Sequence, residues 1–243
     1  MIVYPEVHLA RFLCRPNRFI AECELIETGE QVTVHVKNTG RGKEVLLPGA
    51  KVALSHRPSP KRKTAYDLIA VKKAEQWFNI DSQVPNALAA QALLDGDILL
   101  PNLNGAIRSL KREQRYGHSK FDIFIETDKG QKAFVEVKGM TLENDRIGAF
   151  PDAPTLRGLK HVKELTEAIS EGYQCYVLFI AQFELLDYAT INKEMQPALA
   201  QAIFDGQQAG LTVLAYNCHV LPESIQVVGK IPFDLEQAFI QPV

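Results

Sequence analysis

Hydrophobic and polar positions alternate, in part, over four short segments of the first third: "RFIAECELI", "QVTVHVKN", "KVALSHRP" and "YDLIAVKKAEQWF". Turn signals separate them, among them Glu27-Thr28-Gly29 and Pro48-Gly49. A period near two predicts half-buried strands. Several such strands in under 85 residues predict a small barrel or sandwich, of which the five-stranded OB-type barrel is one solution. Trp77 and Phe78 are expected to close its core.

The period changes after "NIDSQVPN". "NALAAQALLDG" predicts a helix with Asn86 as candidate cap and Leu88, Ala92 and Leu93 on one side. "GAIRSLKREQRYG" reads either as a second helical stretch or as an irregular entry to the next element. A hairpin then spans Lys120 to Gly139, followed by a loop, "MTLENDRIGAFPDAPT". The stripe Leu159, Val162, Leu165 and Ile169 predicts a helix from about Leu156 to Glu171, stopped by Gly172. "YQCYVLFIAQ" is almost uninterrupted and apolar, as a strand buried on both faces should be. A helix in "PALAQAIFDGQQAG" joins it to "LTVLAYNCHVL", and such a crossover implies parallel pairing. The expected fold class is therefore two domains, an all-β barrel over 1–82 and an α/β domain with a mixed sheet over 83–243.

The hairpin carries chemistry. Glu136 and Lys138 share a face with Phe134, while Asp122 shares one with Phe124 and Glu126. A two-residue loop, Lys129-Gly130, would set Asp122 opposite Val137. A three-residue loop, Asp128-Lys129-Gly130, pairs Thr127 with Gln131 and sets Asp122 opposite Glu136. Glycine in third place suits the left-handed position of the longer loop, and only that register sends both apolar faces to one side. Facing carboxylates repel unless compensated. Lys138 is one candidate, and a hard divalent cation such as Mg²⁺ is another. Two carboxylates, a metal and a lysine suit phosphodiester hydrolysis.

Composition narrows the class. Of the 243 residues, 46% are hydrophobic and 23% charged, an ordinary globular balance. No apolar run reaches the length of a membrane span, and "MIVYPEVHLARFLCRPNRF" lacks the basic-then-apolar order of a signal peptide. Cys14, Cys23, Cys175 and Cys218 are scattered, which reads as reduced thiols in a cytoplasmic protein. The net charge of −2 hides an asymmetry: residues 1–80 hold 13 Lys/Arg and 8 Asp/Glu, the remainder 14 and 21. The basic residues cluster. Lys61-Arg62-Lys63 lies close to Tyr66, and Lys37, Asn38, Arg41 and Lys43 surround Gly40 and Gly42. Such groups neutralise phosphates by counterion release, and an aromatic neighbour can stack on a base.

The order of Asp122, a turn, "VEVK", a helix and a strand resembles the core of the PD-(D/E)XK nucleases. Within that superfamily the chain resembles the sugar fermentation stimulation protein A (SfsA) family, through "RFIAECEL", "VHVKNTGR", "KRKTAYDLIAV", "VPN", "YGHSKFDIFI", "VEVKGMTL" and "FPDAPTLRGLKHVKEL". The resemblance implies an OB-like nucleic-acid-binding domain over 1–82 and a nuclease-like domain over 83–243. It implies Asp122 and Glu136 as metal ligands and Lys138 as catalytic lysine. Glu113 stands where many such nucleases place another acidic ligand, on a preceding helix. The superfamily's proline is absent, since Phe121 precedes Asp122.

The expectation is a nuclease using Mg²⁺ or Mn²⁺ that hydrolyses phosphodiester bonds of DNA, with RNA as a second substrate class. Its binding residues would be Lys37, Asn38, Arg41, Lys61, Arg62, Lys63 and Tyr66, joined near the metal by Arg157, Lys160 and His161. The alternative is a non-catalytic DNA-binding regulator of sugar metabolism genes. No residue points to a sugar site or a membrane, and two-fold association is left open.

Overall fold

The computed structural model describes residues 1–38, 40, 42–117 and 119–242. The first strands are Ile2–Val3 (β1), Val7–Asn17 (β2), Ile20–Leu25 (β3), Gln31–Val36 (β4), Lys51–His56 (β5), Tyr66–Lys73 (β6) and Gln76–Asn79 (β7). β2 to β6 pair in the order β4-β3-β2-β5-β6, and a parallel ladder from Val34–Tyr66 to Val36–Leu68 joins β4 back to β6. The result is a closed five-stranded OB barrel around Phe12, Val34, Val52, Leu54 and Leu68, with the short β7 paired outside β6.

β2 was not legible as a strand. Its register shifts at Phe12/Cys14 and again at Cys14/Asn17, so its alternation breaks where a continuous period would have revealed it. Phe78 is fully buried beside the barrel core, as expected. Trp77 corrects its part of that expectation: it is half-buried and packs on the second domain's side.

The chain continues through Val84–Asp95 (α1), Ile107–Tyr116 (β8), Ser119–Thr127 (β9), Lys132–Met140 (β10), Leu142–Asn144 (β11), Ile147–Phe150 (β12) and Leu156–Ser170 (α2). It ends with Gln174–Ala181 (β13), Tyr188–Ile191 (β14), Pro197–Gln208 (α3), Thr212–Leu221 (β15) and Ser224–Ile231 (β16). A seven-stranded mixed sheet runs β1-β16-β15-β13-β10-β9-β8, with β10, β13 and β15 parallel. β11 and β12, from residues expected to be loop, form a small second sheet with β14. α1 covers one face of the large sheet, packing with Ile123, Val135, Leu178 and Leu214. α2 and α3 cover the other, with Phe121, Phe134, Val177 and Phe179. This is an α/β domain built on a mixed sheet. No helix among the described residues is long and apolar enough to cross a membrane.

The segment read as helical or irregular, 105–117, is instead mostly the edge strand β8. Its charged residues Arg112, Glu113 and Arg115 are exposed, and a charged edge resists pairing with further chains. Glu113 therefore sits on a strand rather than on a helix, with φ at 59°.

Candidate active site

The turn decides the register of the hairpin. Thr127 N donates to Gln131 O at 2.9 Å, Gly130 N donates to Thr127 O at 3.0 Å, and Gly130 takes φ of 76°. Glu126 then faces Lys132, Phe124 faces Phe134 and Ile123 faces Val135. One further step brings Asp122 level with Glu136, the three-residue register. There the backbone ladder gives way to a side chain: Asp122 Oδ2 accepts from Val137 N at 2.8 Å. Its Oδ1 accepts from Asn86 Nδ2, on the first turn of α1, at 2.6 Å. Alternation also slips here, because Phe121 packs with Phe134 on the α2 side while Ile123 and Ile125 pack under α1.

Glu136 is 1% exposed. Its Oε1 accepts from Lys138 Nζ at 2.6 Å and from His161 Nδ1, on α2, at 2.5 Å. Its Oε2 is buried without a hydrogen-bond partner among the described residues. Burial pushes the Asp122 carboxyl above the ordinary aspartate range, and neighbouring Glu136 adds to that push. Lys138, the Val137 amide and Asn86 pull it partly back. Burial also acts to raise Glu136, but the His161 hydrogen bond and the Lys138 ammonium outweigh it and hold Glu136 below the usual glutamate range. Two adjacent carboxylates are thus pushed in opposite directions by their surroundings.

Among the described residues no three His, Cys, Asp or Glu side chains converge as a ready ligand set. Two carboxylates and an orphaned carboxylate oxygen fit a small hard cation, which keeps several waters and takes one or two protein carboxylates. They do not fit a structural zinc, which needs four protein ligands.

The family model described as "SfsA N-terminal OB domain" matches residues 13–80, and "Sugar fermentation stimulation protein RE domain" matches residues 83–224. The chain belongs to the SfsA family. A "Sugar fermentation stimulation protein homolog" of Enterococcus mundtii is 64% identical, over 98% of each chain. Its namesake from Alkaliphilus oremlandii is 43% identical over 95% of this chain and 98% of its own. Among solved structures, Pyrococcus furiosus SfsA in complex with Ca²⁺ superimposes with a TM-score of 0.83 at 28% identity, covering 96% of this chain and 98% of that one.

The other site candidates of this SfsA chain are more dispersed. Glu113 is exposed and ion-paired with Lys120 at 2.5 Å, and has no hydrogen bond to Asp122 or Glu136. Lys61 and Lys63 are exposed. Arg62 instead turns inward to the buried Asp67, as does Lys37, whose Nζ lies 3.2 Å from Asp67 and 3.3 Å from Asp81. Asn38 is held locally, its Oδ1 accepting from Gly40 N at 2.7 Å. Arg41 lies outside the described residues. Tyr66 is half-buried against His56, ring centroids 4.8 Å apart. On α2, Arg157 and Lys160 are exposed, but His161 is 4% exposed and corrects its surface assignment by reaching Glu136.

Two residues that brace the candidate site escaped sequence reasoning. Asn86 is the third residue of α1, not its cap, and the helix start has no side-chain cap bond. Gln182, buried just after β13, donates from Nε2 to Asn79 Oδ1 and Asp81 O and packs beside Gly139. Nothing in the local pattern distinguishes either from an ordinary polar position.

Proposed function

We propose that this protein is a divalent-metal-dependent nuclease that hydrolyses phosphodiester bonds of DNA, with RNA as a second substrate class. The observation that carries the reading is the meeting of Asp122 with Glu136 at the splayed end of the hairpin, Lys138 at 2.6 Å and a carboxylate oxygen of Glu136 left unpartnered. Asp122 and Glu136 would hold Mg²⁺ or Mn²⁺, and the Ca²⁺ complex of the Pyrococcus relative supports a hard cation. When bound, the metal supplies charge neutralisation at the phosphate and acidifies a water. His161 and Asn86 orient the two carboxylates from opposite sides. The Lys138 ammonium, half-buried, can donate to an attacking oxygen or to a phosphate oxygen as negative charge builds there. The OB barrel, with Lys61 and Lys63 exposed, would hold the strand.

The test incubates full-length protein with labelled single- and double-stranded DNA and RNA, in Mg²⁺, Mn²⁺ or EDTA, beside Asp122→Ala and Lys138→Ala. The reading expects metal-dependent cleavage, lowered about 10²-fold or more by either change. Binding without cleavage in any metal would replace it with the regulator. Cleavage indifferent to both changes would place the activity elsewhere.

A further inference from the structure

A cavity of about 490 Å³ opens beside the catalytic hairpin, between the facing ends of β8 and β9 and the N-terminus of α2. Among the described residues its lining is Arg115, Ser119, Lys120, Leu156, Arg157, Lys160 and His161, four cations and no carboxylate. Lys120 is offset by Glu113 and Lys160 lies 3.7 Å from Glu164. Among the described residues, neither Arg115 nor Arg157 has a carboxylate at ion-pair distance.

Two independent features point to an anion. The first is the helix end. α2 has 15 residues and no acidic side chain in its first turn, and Thr155 Oγ1 caps only Gly158 N. The earlier amides and the positive end of the helix dipole stay available. The second is Ser119, which lines the cavity at 7% exposure, its Oγ buried with no hydrogen-bond partner among the described residues. A buried hydroxyl without a partner costs free energy that a ligand oxygen would recover.

We propose that this cavity is a phosphate subsite for the nucleic-acid strand, holding a phosphate next to the one that reacts. Arg115 and Arg157 grip its oxygens, the first amides of α2 and the Ser119 hydroxyl complete the cradle, and His161 forms the wall shared with Glu136. The assignment rests on the nucleic-acid reading above and adds Arg115, Ser119 and Lys120 to it. The phosphate comes from one of two sources, an internal linkage or a strand terminus, and the chemistry of the cradle is shared.

The experiment uses the full chain in EDTA, so that turnover does not enter. Inorganic phosphate is titrated while amide resonances of Ser119 and residues 156–158 are followed by NMR. Saturable shifts confined to those amides are expected, with affinity about tenfold weaker in Arg115→Ala/Arg157→Ala, as loss of a charged hydrogen-bonding pair predicts. Absence of such shifts, or an unchanged affinity in the variant, overturns the subsite. Oligonucleotides with 5′-phosphate or 5′-hydroxyl ends are then compared by anisotropy. A preference for the phosphorylated end that the variant loses assigns a terminal phosphate. Equal weakening of both by the variant assigns an internal one, and weakening of neither overturns the proposal. Cleavage of a circular DNA in Mg²⁺ is read separately. An inactive protein that still binds phosphate here defeats the nuclease reading alone, whereas an active one without phosphate binding defeats the subsite alone.

Discussion

At the scale of single residues, Asp122 is held where a carboxylate is costly. It is raised by burial and by Glu136, so the folded protein binds its proton more tightly than the unfolded chain does. The cost is therefore absent in acid and develops as pH rises past the ordinary aspartate range. Asp122→Asn keeps the shape, removes the repulsion and leaves an acceptor for the Val137 amide. In EDTA at neutral pH it should stabilise the protein by about 1 kcal/mol, about 2–4 °C in Tm; on the proposed nuclease reading it should also abolish cleavage and remove any stabilisation by added Mg²⁺. The gain should vanish near pH 3, and calorimetry of both proteins across that range checks it. Asp122 and Glu136 were legible because the hairpin turn fixes their register. His161 was legible only as a helix-surface residue, because helical spacing places it between Lys160 and the apolar Val162. Which of the two sides it serves depends on how α2 lies across β10, and no local pattern contains that.

At the scale of elements, the site stands where α1, β10 and β13 converge, and Gly139 marks the point of closest approach. A Cβ at Gly139 would come within 2.5 Å of Gln182 Oε1 and 2.8 Å of Pro85 Cγ. Gly139→Ala should push the start of α1 away from β10 and carry Asn86 off Asp122, at a cost of about 1–3 kcal/mol. Cleavage should fall more than Tm explains, measured at a temperature where the variant is still folded. Gly130→Ala is the contrast. Nothing lies within 4 Å of its Cβ, yet φ is 76°, so only the left-handed backbone is penalised, by about 1 kcal/mol. Its Tm should drop by about 2–4 °C with cleavage unchanged at a permissive temperature; a loss of activity there would mean that the register had slipped. Some elements were readable in the sequence and others were not. β9 and β10 declare themselves through sequence alternation around a glycine turn, and β13 through an uninterrupted apolar run. β8 is a charged edge strand whose exposed residues resemble a polar helix, and β2 loses its alternation at its bulges.

At the scale of the whole molecule, the two domains are tied through charge. Lys37, at the end of the barrel strand β4, reaches both Asp67 in the barrel and Asp81 ahead of α1, and its carbonyl accepts from Ser82 Oγ. From Asp81 the chain runs directly into the turn that carries Asn86 to Asp122. Burial acts to raise Asp67, but Arg62 and Lys37 outweigh it and hold the carboxyl below the ordinary range. A depressed carboxyl stabilises the fold above its unfolded pKa of about 3.9, and that contribution is lost as pH falls through the lower folded value. Asp67→Asn should cost about 2–3 kcal/mol at neutral pH and flatten the acid limb of Tm against pH. The same pairing redistributes the basic cluster that the sequence presents as uniform. Arg62 and Lys37 already have buried partners, so releasing them to phosphate would expose the charge of Asp67. Among the described residues Lys61 and Lys63 have no such carboxylate partner. Replacing both by Ala should reduce the slope of log K against log salt for DNA by about 1.4–1.8, at nearly constant Tm. Arg62→Ala should lower Tm and leave the slope almost unchanged. Anisotropy titrations at four salt concentrations separate the two, and a slope that follows Arg62 rather than Lys61 and Lys63 would mean that the ion pair opens when the strand arrives.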